Sequence, residues 1–326
     1  MTFLSERSSK KKLIVKEFIK FVLGLKGIWR TLLCVYLFYR YFHQTSVCLL
    51  ILSAINTFFR CIVSTAGCHR YFSHKSYKCH PIIAHIWAIG SLSNELGETI
   101  YWCLLHGKHH QECDGVKDLH SPMKLGFWSV QLRTFDDSFM SEVLSLVNDP
   151  QKMKRLKDKF DIDMRPYCDV QLNAAVILIE SVIWVMLGYY FQYTYPLELW
   201  FWMNCLPRTY VFHGISLLNS ACHLYGDRPY TGNNRPPYGE CMATNIPIVA
   251  VFNLGDGWHN NHHAFSRSAR CGLLWWEVDV TWYVLCMLAQ VGLVWDIIVV
   301  DDVLRSHPRY QPLPVTSTRY KTIFKR

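Results

Sequence analysis

Three histidines within five residues, His259, His262 and His263, are the tightest constraint on how this chain can fold. Offsets of i, i+3 and i+4 put all three imidazoles on one face of a helix with about 3.6 residues per turn. Such a face is costly unless something binds it, and neutral imidazole suits iron, zinc and copper. The same spacing recurs about 150 residues earlier at His106, His109 and His110, and a further pair, His69 and His74, brackets Arg70-Tyr71-Phe72-Ser73. The rest of the chain has to be arranged around these clusters.

The intervening segments point to a membrane. Hydrophobic residues make up 51% of the 326 and aromatics 15%, yet the mean hydropathy is only +0.07, which fits a few spanning helices with a sizeable water-exposed part. Four stretches approach the ~20 apolar residues needed to cross a hydrocarbon core. They are 22–42, interrupted by Lys26, Arg30 and Arg40; 46–66, with Arg60 near one end; 172–191, carrying Asn173 and Glu180; and 197–218, interrupted by Pro207, Arg208 and His213. Glu180 and Arg208 would pair, line a cavity or sit near a helix end, because intramembrane charge is expensive. Short loops join the first span to the second and the third to the fourth, so 67–170 and 219–326 fall on the side of the N-terminus. The cations Arg7, Lys10, Lys11, Lys12, Lys16 and Lys20 place that side in the cytosol.

The expected organisation is a basic cytosolic segment over 1–20, a membrane domain over 21–300 and a flexible basic tail over 301–326 containing Pro308, Pro312 and Pro314. Both termini and every histidine cluster then lie in the cytosol. Ile82 to Leu92 is apolar but too short to cross, which leaves an interfacial helix or part of the cytosolic core. Lys152 to Arg165 reads as a solvated helix, and Trp275 to about Val300 as a long amphipathic one. The basic start is broken by Lys16, Lys20 and Lys26, so no cleavable signal peptide is expected. Thirteen cysteines without a C-x-x-C pair suggest neither a disulfide framework nor a zinc ribbon, and read as reduced thiols. A net charge of +9 fits an anionic leaflet or a phosphate-bearing ligand, and no nucleic-acid motif accompanies it.

Eight clustered imidazoles are too many for one ion and suit two, each with four or five nitrogens and open positions for water or dioxygen. A structural zinc site would be closed by four ligands and favour cysteine. A zinc hydrolase would need a glutamate within the His-x-x-His-His spacing, and there is none. His69 and His74 fall about 140° apart on a regular helix. They serve different ions, or the helix ends between them.

His-Arg-Tyr-Phe-Ser-His (69–74), His-Gly-Lys-His-His (106–110) and Trp-His-Asn-Asn-His-His (258–263) resemble the three histidine boxes of the membrane acyl-CoA desaturases of the stearoyl-CoA or Δ9 type. Flanking segments agree: Asp118-Leu119-His120-Ser121-Pro122 with Gly126-Phe127-Trp128; Asn219 to Gly226 with Arg228-Pro229-Tyr230; Gly255-Asp256-Gly257; and Trp276 to Trp282. The resemblance covers roughly residues 20 to 300. It implies an all-α integral membrane protein, with four transmembrane helices under a cytosolic helical cap that holds two irons. It adds His223 as a ninth ligand and Asn219 as a neighbour of one iron through water. The implied reaction is O2-dependent formation of a cis double bond in a saturated fatty acyl-CoA lying in a bent tunnel, at the endoplasmic reticulum membrane. Electrons would come from NADH through cytochrome b5 reductase and a separate cytochrome b5, since no His-Pro-Gly-Gly segment occurs in this chain. An unactivated methylene has no acidic proton, so no separate general base is named and the protein's share is ligation, orientation and exclusion of water.

The chain departs from the family's usual residues at Gly107, at Asp256, where glutamate is common, and at Ile215-Ser216, where Thr-Trp is frequent near the acyl tunnel. Lys108, Lys117, Lys124 and Arg228 would meet the CoA phosphates or form a solvated face. His43, His80, His85 and His307 read as surface or packed residues, while His120 and His213 sit in family-like segments and could support the ligands or the tunnel. Two other readings compete with an acyl-CoA desaturase. One is a diiron desaturase or hydroxylase acting on glycerolipid, ether lipid or sphingolipid. The other is a non-catalytic lipid- or metal-binding scaffold, which a missing ligand would have favoured.

Overall fold

The computed structural model describes residues 26–95, 98–132, 145–193, 195–230, 241–300 and 320–326. Helix α1 covers Lys26–Tyr41, and α2 runs unbroken over Val47–Ser73, as an α-helix to Ile62 and a π-helix from Val63. Ser46 starts α2 by accepting the otherwise orphaned Leu49 N–H on its hydroxyl. Next come α3 (Pro81–Ser93), α4 (Thr99–Glu112), α5 (Pro150–Phe160) and α6 (Val170–Tyr190). Helix α7 covers 196–220 with a π-turn at Phe201–Cys205. The short α8 (Pro247–Phe252), α9 (His259–Ala264) and α10 (Val280–Gln290) follow.

Two of these helices are long and apolar enough to cross a membrane: α2, of hydropathy 2.0, and α6, of hydropathy 1.9. Only 6% of the apolar window of α6 is buried, and Leu178, Ile179, Val182, Ile183 and Met186 all point outward. Most of the apolar surface of α6 is therefore left uncovered by protein. The first and fourth expected spans are also helical, but α1 has 16 residues and carries Arg30 and Arg40, and α7 carries Arg208. Glu180 and Arg208 do pair. Glu180 receives Arg60 and, at 2.8 Å, Arg208, while Glu95 receives Arg30 and, at 3.2 Å, Arg208. Arg60 also donates to Ser93 Oγ at 2.8 Å. This ionic cluster joins α1, α2, α6, α7 and the end of α3.

The π-helical half of α2 runs through the main core. Ala66, Tyr71 and Phe72 pack with Trp87 and Leu92 of α3, Phe160 of α5 and Leu285 of α10. Gly67 permits this: a Cβ there would lie 2.8 Å from the Trp87 Cβ. The short apolar stretch thus belongs to the core on one face of α3. Helix α5 stops at Phe160, where Asp161 takes a left-handed conformation (φ +59°), rather than continuing to Arg165.

The all-α expectation needs correction in the last quarter of the chain. The run from Trp275 is helical only over α10, and beyond the turn at Gly292 it becomes β2 (Val294–Trp295) and β3 (Ile297–Val300). The β-branched run here favours strands. β2 pairs antiparallel with β1 (Lys78–Cys79), and β3 with β4 (Tyr320–Ile323). Part of the expected flexible tail is therefore a strand in register with β3, Ile297 opposite Ile323. The basic N-terminal segment, His307 and the prolines of the tail lie outside the described residues.

Candidate metal centre

The wide helix of α2 resolves the awkward spacing of the first histidine pair. In a π-helix the backbone bonds run from i to i+5, and His74 N–H donates to the His69 carbonyl at 3.2 Å. A five-residue step is then about one turn, and the rings of His69 and His74 lie 5.0 Å apart. Of the two expectations, different ions or a helix that ends between them, the second holds: the helix ends at Ser73, and both histidines belong to one group. On α4, His106 and His110 point to that group and His109 to another; on α9, His262 joins the first while His259 and His263 join the second.

The first group is His69, His74, His106, His110 and His262, whose ligand atoms lie within 4.8 Å of one another. Its Nε2 atoms converge: His69 to His262 at 2.9 Å, His74 to His106 at 2.8 Å, His106 to His110 at 3.0 Å and His110 to His262 at 2.9 Å. In the second, His109, His223 and His263 meet within the same span, together with the Cys113 sulfur. His259 Nε2 stands 3.0 Å from His223 Nε2 and 3.1 Å from His263 Nε2. His223 reaches it from the single turn Ala221–His223 that ends α7.

The donors fit metal ions. Aspartates occupy Nδ1 of three rings: Asp256 on His69 at 2.7 Å, Asp118 on His109 at 2.8 Å and Asp114 on His223 at 2.8 Å. An N–H held at Nδ1 by a carboxylate leaves Nε2 as the ring atom that faces inward. His109 Nε2 is buried with no hydrogen-bond partner among the described residues, and an orphan acceptor in such a site calls for a cation. Burial, and then the neighbouring imidazoles, hold His106, His110, His259, His262 and His263 well below the usual histidine value, so these rings are neutral and free to ligate. Burial also opposes charge on His109, but the Asp118 carboxylate outweighs it and raises that ring.

An apolar pocket opens onto both groups. His69, His106 and His259 line one part of it, with Asn219 and Asp256, and Cys61, Thr65, Trp102, Val211 and Ile215 form the walls. Of the positions expected near substrate, Ile215 lines this cavity. Ser216 is buried and not among the lining residues, and Arg228 donates to the Cys241 carbonyl at 2.9 Å. Lys108 does not line it either; Lys124 donates to the Val116 carbonyl, and Lys117 is exposed. His120 is buried with its ring 4.3 Å from His109, a supporting position, whereas His213 bonds Thr31 and Gln131. His43 and His85 are exposed, and His80 caps α3.

Sequence reasoning missed the Nδ1 partners and one cysteine pair. Asp118 and Asp256 lay in quoted segments but had no role assigned, and acidic residues flanking a histidine box were the available signal. Cys113 and Cys241 are bonded, with Cα atoms 5.1 Å apart, which corrects the reading of all thirteen cysteines as reduced thiols. They are 128 residues apart, and no local spacing announces such a pair.

A family model described as "Fatty acid desaturase" matches residues 44–285. Among curated proteins, the chain is 30% identical over 244 residues to "Acyl-CoA C20 Delta5-desaturase" of Anemone leveillei, covering 74% of this chain and 70% of that one. It is 32% identical over 234 residues to "Delta-9 acyl-lipid desaturase 1" of Arabidopsis thaliana, covering 72% and 70%. It is 32% identical over 233 residues to "Palmitoyl-monogalactosyldiacylglycerol delta-7 desaturase, chloroplastic", also of Arabidopsis thaliana, covering 72% and 57%. These names differ in both double-bond position and acyl carrier.

Proposed function

The chain belongs to the fatty acid desaturase family, and from that premise we propose that it is an O2-dependent acyl-CoA desaturase that places a cis double bond, at Δ9, in a saturated fatty acyl-CoA. The observation that carries this reading is a group of five imidazoles next to a second one, His109, His223 and His263 with Cys113 and with His259 Nε2 3.0 Å from His223 Nε2, beside one apolar cavity. On this reading His69, His74, His106, His110 and His262 hold one iron. His109, His223, His259 and His263 hold the other, with Asn219 reached through a water. Two irons with O2 and two electrons supply the removal of one hydrogen from each of two adjacent methylenes.

The chain's own residues do the rest. Asp256, Asp118 and Asp114 keep protons at Nδ1 of His69, His109 and His223, so that the inward nitrogens remain ligands. The walls at Cys61, Thr65, Trp102, Val211 and Ile215 take the acyl chain and displace water from beside the metals. A methylene offers no acidic proton, so no side chain serves as general base. Electrons come from NADH through cytochrome b5 reductase and a separate cytochrome b5. Helices α1, α2, α6 and α7 are the four spans, in the endoplasmic reticulum membrane, with the histidines and both termini in the cytosol. The exposed apolar face of α6 and the basic N-terminal residues support that placement.

The test is lipid analysis of a desaturase-deficient yeast strain expressing this chain, beside His263→Ala. New Δ9 monounsaturated acyl chains from the parent and none from the variant are expected. Another double-bond position would revise the regiochemistry. Hydroxylated products, or unsaturation arising only in intact glycerolipid or sphingolipid, would replace the acyl-CoA reading.

A further inference from the structure

His263 differs from the three rings backed by aspartate. Behind its Nδ1 stand two sulfurs, Cys241 Sγ at 3.2 Å and Cys113 Sγ at 3.5 Å. Cys113 directly follows α4, the helix of His106, His109 and His110. Cys241 precedes Met242, whose N–H donates at 2.8 Å to the same Asp114 carboxylate that holds His223. Both cysteines are buried, and the other eleven are free thiols. The bonded pair therefore ties the segment after α4 to the segment before α8, directly behind a ring of the second group.

We propose that Cys113 and Cys241 are a redox-active pair that positions His263 and thereby sets how firmly the second histidine group holds its metal. The proposal rests on reading that group as a metal site. In the reduced state two separate thiols face Nδ1 and can turn to accept its N–H, as the aspartates do for the other rings. In the oxidised state the two sulfurs are locked to each other and cannot adjust to the ring. The oxidant is hydrogen peroxide: two thiols give up two electrons and two protons, the S–S bond forms, and the peroxide leaves as two waters. A dithiol reverses the step by exchange. On a cytosolic face thiols are kept reduced, so a disulfide there acts as a sensor rather than a permanent staple. The pair is a positioning device, not a catalytic one.

The experiment uses the full-length, metal-loaded protein in detergent, treated with hydrogen peroxide and then with dithiothreitol. Peptide mass spectrometry follows the Cys113–Cys241 link, and metal release to a chelator is measured in parallel for the parent, Cys241→Ser and Cys113→Ala. Peroxide should form the link and increase metal release about tenfold. Dithiothreitol should reverse both, and neither variant should respond to peroxide. Release that ignores the state of the link, variants that respond like the parent, or a link that dithiothreitol never opens would each overturn the proposal. Absence of metal from parent and variants alike would overturn the metal reading, and this proposal with it.

Discussion

Asp256→Asn is the sharpest probe of the centre. The Asp256 carboxylate is 2% exposed and accepts from His69 Nδ1 on one oxygen and from Arg70 Nη2 on the other, both at 2.7 Å. Asparagine keeps the shape but has a single acceptor oxygen, and both neighbours are donors. Either His69 loses its Nδ1 partner or Arg70 faces an N–H group. Partners of this kind are worth about 10–100-fold in metal affinity, or roughly 1.4–2.7 kcal/mol at 1.36 kcal/mol per decade. The fold should lose on the order of 1–3 kcal/mol for the mismatched buried donor, because Arg70 retains Asp279 at 3.0 Å and the Ala269 carbonyl at 2.6 Å. Asp279→Asn is the control: Asp279 meets Arg70, Cys271 N–H and Trp282 N–H but no histidine. Metal affinity by chelator competition and thermal midpoint would be read on both variants. Asp256→Asn should lose affinity and stability, and Asp279→Asn stability alone. Parallel loss of affinity in the two would refute the claim that Asp256 acts through His69.

Gly107→Ala on α4 should raise stability by about 1 kcal/mol, since nothing lies within 4 Å of the added methyl; a lowered thermal midpoint would count against it. Glu180→Gln leaves Arg60 and Arg208 without their shared carboxylate and should cost about 3–5 kcal/mol in unfolding, whereas a change under 1 kcal/mol would mean the cluster is wet. Acid should weaken the metal-free protein. His106, His110, His259, His262 and His263 titrate below the ordinary 6.5, so the unfolded chain takes up protons that the folded one refuses. Their contribution is complete above about pH 6.5 and falls as pH drops below it, and a thermal midpoint that stays level from about pH 8 to about pH 5.5 would contradict this.

The apolar stretches announced α2 and α6, the two helices long and apolar enough to cross a membrane, and they marked α7 as a helix. The charged 152–165 segment likewise showed most of α5, with Met153 and Phe160 buried and its lysines outward. The run after Trp275 misled because β-branched residues serve a packed helix or a strand, and only pairing with Lys78–Cys79 and Tyr320–Ile323 decides for the strand.

Offsets of three and four residues, which share a helical face whatever the rest of the chain does, identified six of the nine clustered imidazoles; His69 and His74, five apart, stood out only as a close pair. The resemblance to known histidine boxes added His223. Tertiary structure alone decided which ring belongs to which group, since His106 and His109 differ only by where the elements opposite them lie. It also decided the pairing of Asp256 with His69 across 187 residues and of Cys113 with Cys241 across 128. The physical reason is range: helical periodicity orders neighbours within a turn or two, whereas the partner of a buried atom is set by the packing of segments far apart in the chain.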